Sequence, residues 1–289
     1  MKNYKLYTSY RKLLADTTTP VSIYLRLRDV FPNSILLESS DYHSRENSLS
    51  YVCCDPIAGI MLTGDKLETY FPDGSRDQYP LNEVDLKKHV SDFRKQFESK
   101  SANDFKFISN ALFGYFAYET IEHFEDIRLK ASDAEGRSIP LMQYHVYRYI
   151  IVIDHFKNEL YLLEHRTEKN SPDNLEKIQY LIQNKNFPEY KFNLNGKERS
   201  NFTDDEFINI VESVKKHIFR GDVFQIVPSR AFSIPFLGDE FNVYRALRSI
   251  NPSPYLFYYD YGDFKLFGSS PEAQLTIKNN EATIFPIAG

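Results

Sequence analysis

The chain has 289 residues, of which 42% are hydrophobic and 26% charged, with a formal net charge of −5. This length is enough for one large domain or two modest ones without a disulfide or metal, and the composition is typical of a soluble globular protein. The acidic balance argues against a nucleic acid or an anionic membrane as the main partner, and no apolar run approaches the roughly 18 residues of a membrane span. The start, Met1–Lys5, lacks a signal-peptide pattern, so we expect a cytoplasmic chain.

The first part of the chain mixes helical and extended patterns. Apolar spacing predicts helices over 17–30 and 83–99, the first with Pro20 in its opening turn. Runs rich in Val, Ile, Leu and Tyr predict strands at 34–39, 49–54, 57–63, 67–71, 111–119, 143–154 and 159–164.

The composition becomes polar between about 166 and 200, around one weak helix at 175–183. We therefore predict two domains, 1–190 and 200–289. In the second, Thr203 to Glu206 form a capping box for a helix that ends at Gly221. The remaining pattern predicts a helix at 240–250 and short strands at 255–259, 264–268, 273–277 and 282–287. Because strands cluster between turns instead of alternating with helices, we predict an α+β fold with mostly antiparallel sheets.

Common catalytic motifs are not visible in the sequence. The seven histidines show no metal-site spacing, and there is no glycine-rich phosphate loop or nucleophile elbow. Cys53 and Cys54 are adjacent and bridge each other only with strain, so we expect reduced thiols and no structural disulfide.

Four stretches depart from ordinary patterning. Glu38-Ser39 follows directly on an apolar strand, which could also be a strand end that reaches solvent. Gln225 is a lone amide in the apolar run 221–230, and it could be a core amide bonded to backbone. The Asn-Pro-Ser-Pro segment before Tyr255 is stiff, so it can enter an edge strand or present backbone groups to a small zwitterion. The sequence stops at 285–289, where a glycine follows an extended run, and we expect that the chain is truncated there.

Together, in this order, the four stretches resemble anthranilate synthase component I, a family of chorismate-using subunits of tryptophan biosynthesis. The resemblance covers essentially the whole chain. It implies an α+β fold of two sheets packed as a sandwich with flanking helices. Members of the family are markedly longer, so the resemblance identifies this sequence as the N-terminal portion, with 1–190 carrying the tryptophan-sensing strand and 200–289 beginning the chorismate-binding domain.

The resemblance assigns a regulatory tryptophan site. Glu38 and Ser39 match the tryptophan-sensing strand, and Pro254, Tyr255 and Leu256 match the segment that closes the same pocket. The chemistry agrees, because a carboxylate can hold an α-ammonium group, a hydroxyl can hold a carboxylate, and apolar neighbours can hold an indole.

The resemblance also assigns substrate and specificity positions. Gly289 matches a glycine that touches chorismate. Isochorismate-type relatives place a lysine where Gln225 stands, and aminodeoxychorismate synthases place one where Ala288 stands. Both differences favour direct attack by ammonia on the ring, and therefore the anthranilate reaction.

The implied reaction consumes chorismate and ammonia, the latter supplied from glutamine by an amidotransferase subunit, and it is inhibited by L-tryptophan. It implies Mg²⁺, whose ligands, like the catalytic residues, are expected beyond Gly289, so we expect this chain alone to be inactive. Two alternatives stay open: component I of aminodeoxychorismate synthase, and a non-catalytic tryptophan-binding module.

Overall fold

The computed structural model describes residues 2–39, 48–100, 105–129, 139–184, 186–278 and 280–286. The α-helices are α1 (Pro20–Leu27), α2 (Leu86–Lys95), α3 (Leu175–Gln183), α4 (Asp204–Arg220) and α5 (Phe241–Ile250). The first strands are β1 (Tyr4–Leu14), β2 (Ile35–Ser39), β3 (Leu49–Thr63), β4 (Lys66–Tyr70), β5 (Arg76–Pro80), β6 (Phe97–Lys100), β7 (Phe113–Phe116), β8 (Met142–Asp154) and β9 (Glu159–Arg166). The later ones are β10 (Phe192–Leu194), β11 (Arg199–Ser200), β12 (Phe232–Ser233), β13 (Phe236–Gly238), β14 (Tyr255–Asp260), β15 (Lys265–Ser270), β16 (Leu275–Lys278) and β17 (Glu281–Ile284).

Eleven of these strands form one sheet in the order β15-β14-β2-β3-β8-β9-β1-β6, with β4 and β5 continuing from β3, and β7 paired with β8. The long strands β3 and β8 pair antiparallel along most of their length, whereas β1 and β6 run parallel. The predicted α+β class with mostly antiparallel pairing is confirmed.

Helix α1 covers one part of this sheet. Thr19 and Ser22 form a reciprocal capping box at its start, with Pro20 at the first position. Its buried residues include Ile23 and Leu27, and the helix packs against β2, β3 and α3. None of the helices among the described residues has the length and apolar character that crossing a membrane requires.

The core of the sheet includes two apolar clusters among the described residues. One contains Leu6, Ile57, Ala58, Ile60, Leu62, Leu67, Phe71, Leu86, Phe93, Met142 and Val146. The other contains Ile35, Cys53, Phe113, Tyr147, Ile150, Val152 and Leu163. The strands β3 and β8 contribute to both clusters, so their pairing joins the two parts of the core.

The chain divides into two compact units. One comprises the chain up to Phe187 together with Leu256–Gly268, and the other comprises Pro188–Tyr255 and the chain from Ser269 onward. The first change of unit falls within the predicted polar boundary, but a later stretch returns to the first unit. In the second unit, α4 begins at the Thr203 capping box and ends at Gly221, whose φ is +82°, as the sequence predicts.

Several elements differ from the sequence prediction, and three of these differences concern β1, β3 and α2. The runs 49–54 and 57–63 form the single strand β3, because β8 pairs with both and a register shift at Pro56 absorbs the interruption. The helix predicted to reach residue 99 ends at Lys95, since the chain from Phe97 pairs with β1 instead. The first strand, β1, was not predicted. Only Leu6 of its residues is fully buried, so its apolar alternation is weak.

Candidate functional site

Glu38 and Ser39 lie at the end of β2, as the sequence predicts. Glu38 is buried, with 6% of its surface exposed, and Ser39 is partly buried. The hydroxyl of Ser48 donates a hydrogen bond of 3.0 Å to the Ser39 carbonyl oxygen. The Glu38 carboxylate therefore lies at an end of the sheet that is hydrogen-bonded to the residue preceding β3, and it does not extend into solvent.

Leu256 lies on the strand next to the one that carries Glu38 and Ser39. Strand β14 neighbours β2, and the Asp260 N–H at the end of β14 donates to the Ser34 carbonyl just before β2 begins. This bond puts the end of one strand beside the start of the other, so the two run in opposite directions. Leu256, which is 4% exposed, therefore lies near the same end of the β2 and β14 strands as Glu38. The topology thus places these two residues near one end of neighbouring strands, and their role in binding tryptophan stays a prediction.

A serine–histidine pair that sequence reasoning missed lies on the other side of β2. Ser50 of β3 is buried, and its Oγ hydrogen-bonds His155 Nε2 at 2.7 Å. Separately, the backbone N–H of His155 donates to the Ser48 carbonyl oxygen at 3.1 Å. The pairing Leu37↔Tyr51 places Ser50 beside Glu38 on the neighbouring strand. Ser50 breaks an apolar run in the sequence, which is the signal that could have found it.

The other predicted site residues lie in the second unit or outside the described residues. Pro254 and Tyr255 belong to the second unit, in which Tyr255 is 44% exposed. Gln225 also belongs to the second unit and is exposed, so the alternative that it is a buried core amide is wrong. Its apolar neighbours are exposed as well, because no element of that unit among the described residues covers them. Ala288 and Gly289 lie outside the described residues.

The described residues do not fit a magnesium site. Nowhere in the described ranges do three or more His, Cys, Asp or Glu side chains come together as a metal site would require. Cys53 and Cys54 are free and buried, and burial raises the pKa of both thiols well above the ordinary value. They are therefore protonated packing residues and not metal-binding thiolates.

Comparisons with known proteins identify the family and the fold of the chain. The family model described as chorismate binding enzyme matches residues 32–289. The anthranilate synthase component 1 of Neisseria gonorrhoeae is 31% identical over 291 residues, which covers 96% of this chain and 58% of that protein. The protein of the same name from Aquifex aeolicus is 30% identical, covering 100% of this chain and 60% of its own length.

A solved structure supports the fold. Anthranilate synthase component I from Streptococcus pneumoniae superposes with a TM-score of 0.59 at 24% identity, covering 92% of this chain and 59% of that one. The chain thus spans somewhat more than half of the length of the proteins it matches. From the family match over residues 32–289, this chain belongs to the chorismate binding enzymes.

Proposed function

We propose that this chain is the N-terminal part of a cytoplasmic subunit that converts chorismate and ammonia to anthranilate and pyruvate, with feedback inhibition by L-tryptophan. The observation that carries the proposal is the alignment of 96% of the chain with proteins named anthranilate synthase component 1. Because the chain spans 58% of that relative, the activity is proposed for the whole protein and not for these 289 residues alone.

In the proposed reaction, ammonia adds to C2 of the chorismate ring while the C4 hydroxyl leaves as water. Pyruvate is then eliminated and the ring becomes aromatic. An amidotransferase partner would supply the ammonia from glutamine. Alanine at 288 leaves the ring carbon open to attack by ammonia. Gln225 cannot activate water as a lysine at that position would. Gly289 would contact chorismate. We propose Mg²⁺ as the cofactor, with its ligands outside this chain.

The tryptophan site is proposed at the end of β2. The buried carboxylate of Glu38 can accept hydrogen bonds from the α-ammonium group, and the Ser39 hydroxyl can donate to the α-carboxylate. Leu256, buried on the neighbouring strand, offers an apolar surface for the indole, with Pro254 and Tyr255 directly before it in the chain. A zwitterion with an apolar side chain fits this combination of groups.

The reaction is tested with the complete protein encoded by the gene from which this chain derives. Purified with chorismate, Mg²⁺ and ammonium, it should form fluorescent anthranilate, and L-tryptophan should suppress that formation. Release of aminodeoxychorismate would favour the alternative synthase, and absence of any chorismate conversion would refute both.

The second candidate is tryptophan binding without turnover by the 289-residue chain itself. It is favoured by the position of Glu38, Ser39 and Leu256 within a part of the chain that forms one sheet. Under the same conditions, this chain should bind L-tryptophan and form no anthranilate. Anthranilate formation by the 289 residues would show that the catalytic machinery is already present in them.

A further inference from the structure

A polar cavity lies in the first unit, away from the residues assigned to tryptophan. It has a volume of about 490 Å³ and is lined by residues of β3, β4, β5 and β8. This volume lies within the roughly 300–1,000 Å³ that small-molecule sites occupy. Since neither Glu38 nor Leu256 lines it, the cavity is separate from the end of β2.

The cavity contains three hydrogen-bonded side chains, of which Gln143 and His145 are buried and Tyr70 is partly buried. Tyr70 Oη lies 2.8 Å from His145 Nδ1, and Gln143 Nε2 lies 3.0 Å from His145 Nε2. The space for this contact exists because Gly59 stands between Tyr70 and His145 in the sheet. A Cβ at Gly59 would lie only 2.7 Å from His145 Nδ1.

In the hydrogen-bonded set of Tyr70, His145 and Gln143, one hydrogen-bond donor and one acceptor remain unused. Burial lowers the pKa of His145 to about 4, so its imidazole is neutral near pH 7 and carries one N–H. The Gln143 amide nitrogen faces Nε2, and in this amide orientation Nε2 accepts and the ring hydrogen lies on Nδ1, toward Tyr70 Oη. The Tyr70 hydroxyl hydrogen is then available, and Gln143 Oε1 is buried without a hydrogen-bond partner.

This arrangement is complementary to a primary carboxamide. The carboxamide oxygen can accept from the Tyr70 hydroxyl, and its NH₂ can donate to Gln143 Oε1. A buried acceptor without a hydrogen-bond partner is destabilising, and such a ligand would supply the missing partner. A ligand with an apolar or carboxylate side chain could not satisfy Gln143 Oε1, because neither kind of side chain donates a hydrogen bond.

The lining also carries charges of both signs. The Arg76 guanidinium and the carboxylates of Glu68 and Asp77 line the same cavity. Gln78 donates a hydrogen bond of 2.9 Å to Glu68, which orients that carboxylate. A guanidinium can bind an α-carboxylate and a carboxylate can bind an α-ammonium group, so these groups suit a zwitterion.

We propose that this cavity binds a free α-amino acid with a carboxamide side chain, of the glutamine or asparagine type. The side-chain amide would meet Tyr70 and Gln143, and the charged groups of the backbone would meet Arg76, Glu68 and Asp77. The site is independent of the proposed reaction, because it needs only the first unit and no turnover.

Calorimetric titration of the 289-residue chain with L-glutamine, L-asparagine and the matching L-glutamate and L-aspartate tests the proposal. At least one amide should bind saturably at one per chain, and at least tenfold more tightly than its carboxylate counterpart. Tyr70→Phe and Gln143→Met should each weaken that binding by about tenfold. Tyr10→Phe, a tyrosine that does not line the cavity, should bind as the unmodified chain does.

Thermal unfolding of each variant shows whether it folds. If Gln143→Met does not fold, Tyr70→Phe decides, since it removes only a hydroxyl. Failure of both amides to bind, equal binding of the carboxylates, or unchanged binding by folded Tyr70→Phe would each overturn the proposal. None of these results bears on chorismate conversion, which is read by anthranilate formation.

Discussion

Replacing Glu38 by glutamine tests the proposed tryptophan site at its most buried polar group. The substitution keeps the size of the side chain and removes its charge. Glu38 is only 6% exposed, so solvent and salt screen its interaction with a bound ammonium group weakly. A hydrogen bond to a charged group contributes about 1.5–3 kcal/mol, and about 1.4 kcal/mol corresponds to a tenfold change in affinity. We therefore expect L-tryptophan to bind this variant about 10 to 150 times more weakly.

The assay can use the fluorescence of the ligand. The chain contains no tryptophan, so indole emission reports the added amino acid alone. Indole-3-propionate lacks the ammonium group and should bind the variant and the unmodified chain equally. Glu68→Gln, which removes a carboxylate on β4 of the same sheet, should leave tryptophan binding unchanged. Unchanged tryptophan affinity in Glu38→Gln, or an equal loss for indole-3-propionate, would refute the role of this carboxylate.

Three further predictions concern the site and the sheet. Ser39→Phe should weaken L-tryptophan binding at least tenfold, because the larger side chain would occupy the space proposed for the ligand. In the complete enzyme it should relieve inhibition while sparing anthranilate formation. Unchanged inhibition would contradict the assignment of Ser39 to the tryptophan site. Gly114→Ala should lower the free energy of unfolding by about 1–3 kcal/mol, because a Cβ there would crowd the β8 backbone, 2.7 Å from Tyr144 Cα; thermal melting measures this, and an unchanged melting temperature would contradict it. Burial lowers the pKa of His165 to about 4, below the roughly 6.5 expected when unfolded, so only the unfolded chain gains this proton as the pH falls between these values. The free energy of unfolding should therefore decrease toward pH 4, and denaturant titrations at several pH values should show a smaller decrease in His165→Asn; an identical decrease would exclude this histidine as a cause.

Local signals were sufficient for α4 and for the end of β2. The Thr203 capping box and Gly221 define both ends of α4 without help from distant residues. Glu38 and Ser39 could be identified because polar residues that follow an apolar strand stand out in the sequence. Their neighbour on β14, Leu256, came from a resemblance to a family, and not from any local pattern.

Features that depend on strand pairing could not be predicted from local sequence signals. Strand β1 is recognisable only through its partners β9 and β6, which are far away in the sequence. The hydrogen-bonded chain of Tyr70, His145 and Gln143 depends on the registers of β4 and β8 against β3. In the sequence these residues are an ordinary tyrosine and two polar residues in a strand, and only the register places them together.

Gln225 shows that an apolar run in the sequence does not by itself decide whether a residue is buried. Its apolar surroundings in the sequence were equally consistent with a core position, yet the structure leaves it exposed beside Phe224. An apolar run indicates that a segment can be buried, and burial itself depends on which other elements are available to cover it.

The most direct measurement is a crystal structure of the 289-residue chain grown with L-tryptophan. The account predicts one tryptophan at the end of β2, with its ammonium group within hydrogen-bonding distance of the Glu38 carboxylate and its indole against Leu256. Tryptophan bound elsewhere, or an empty site at a saturating ligand concentration, would contradict it.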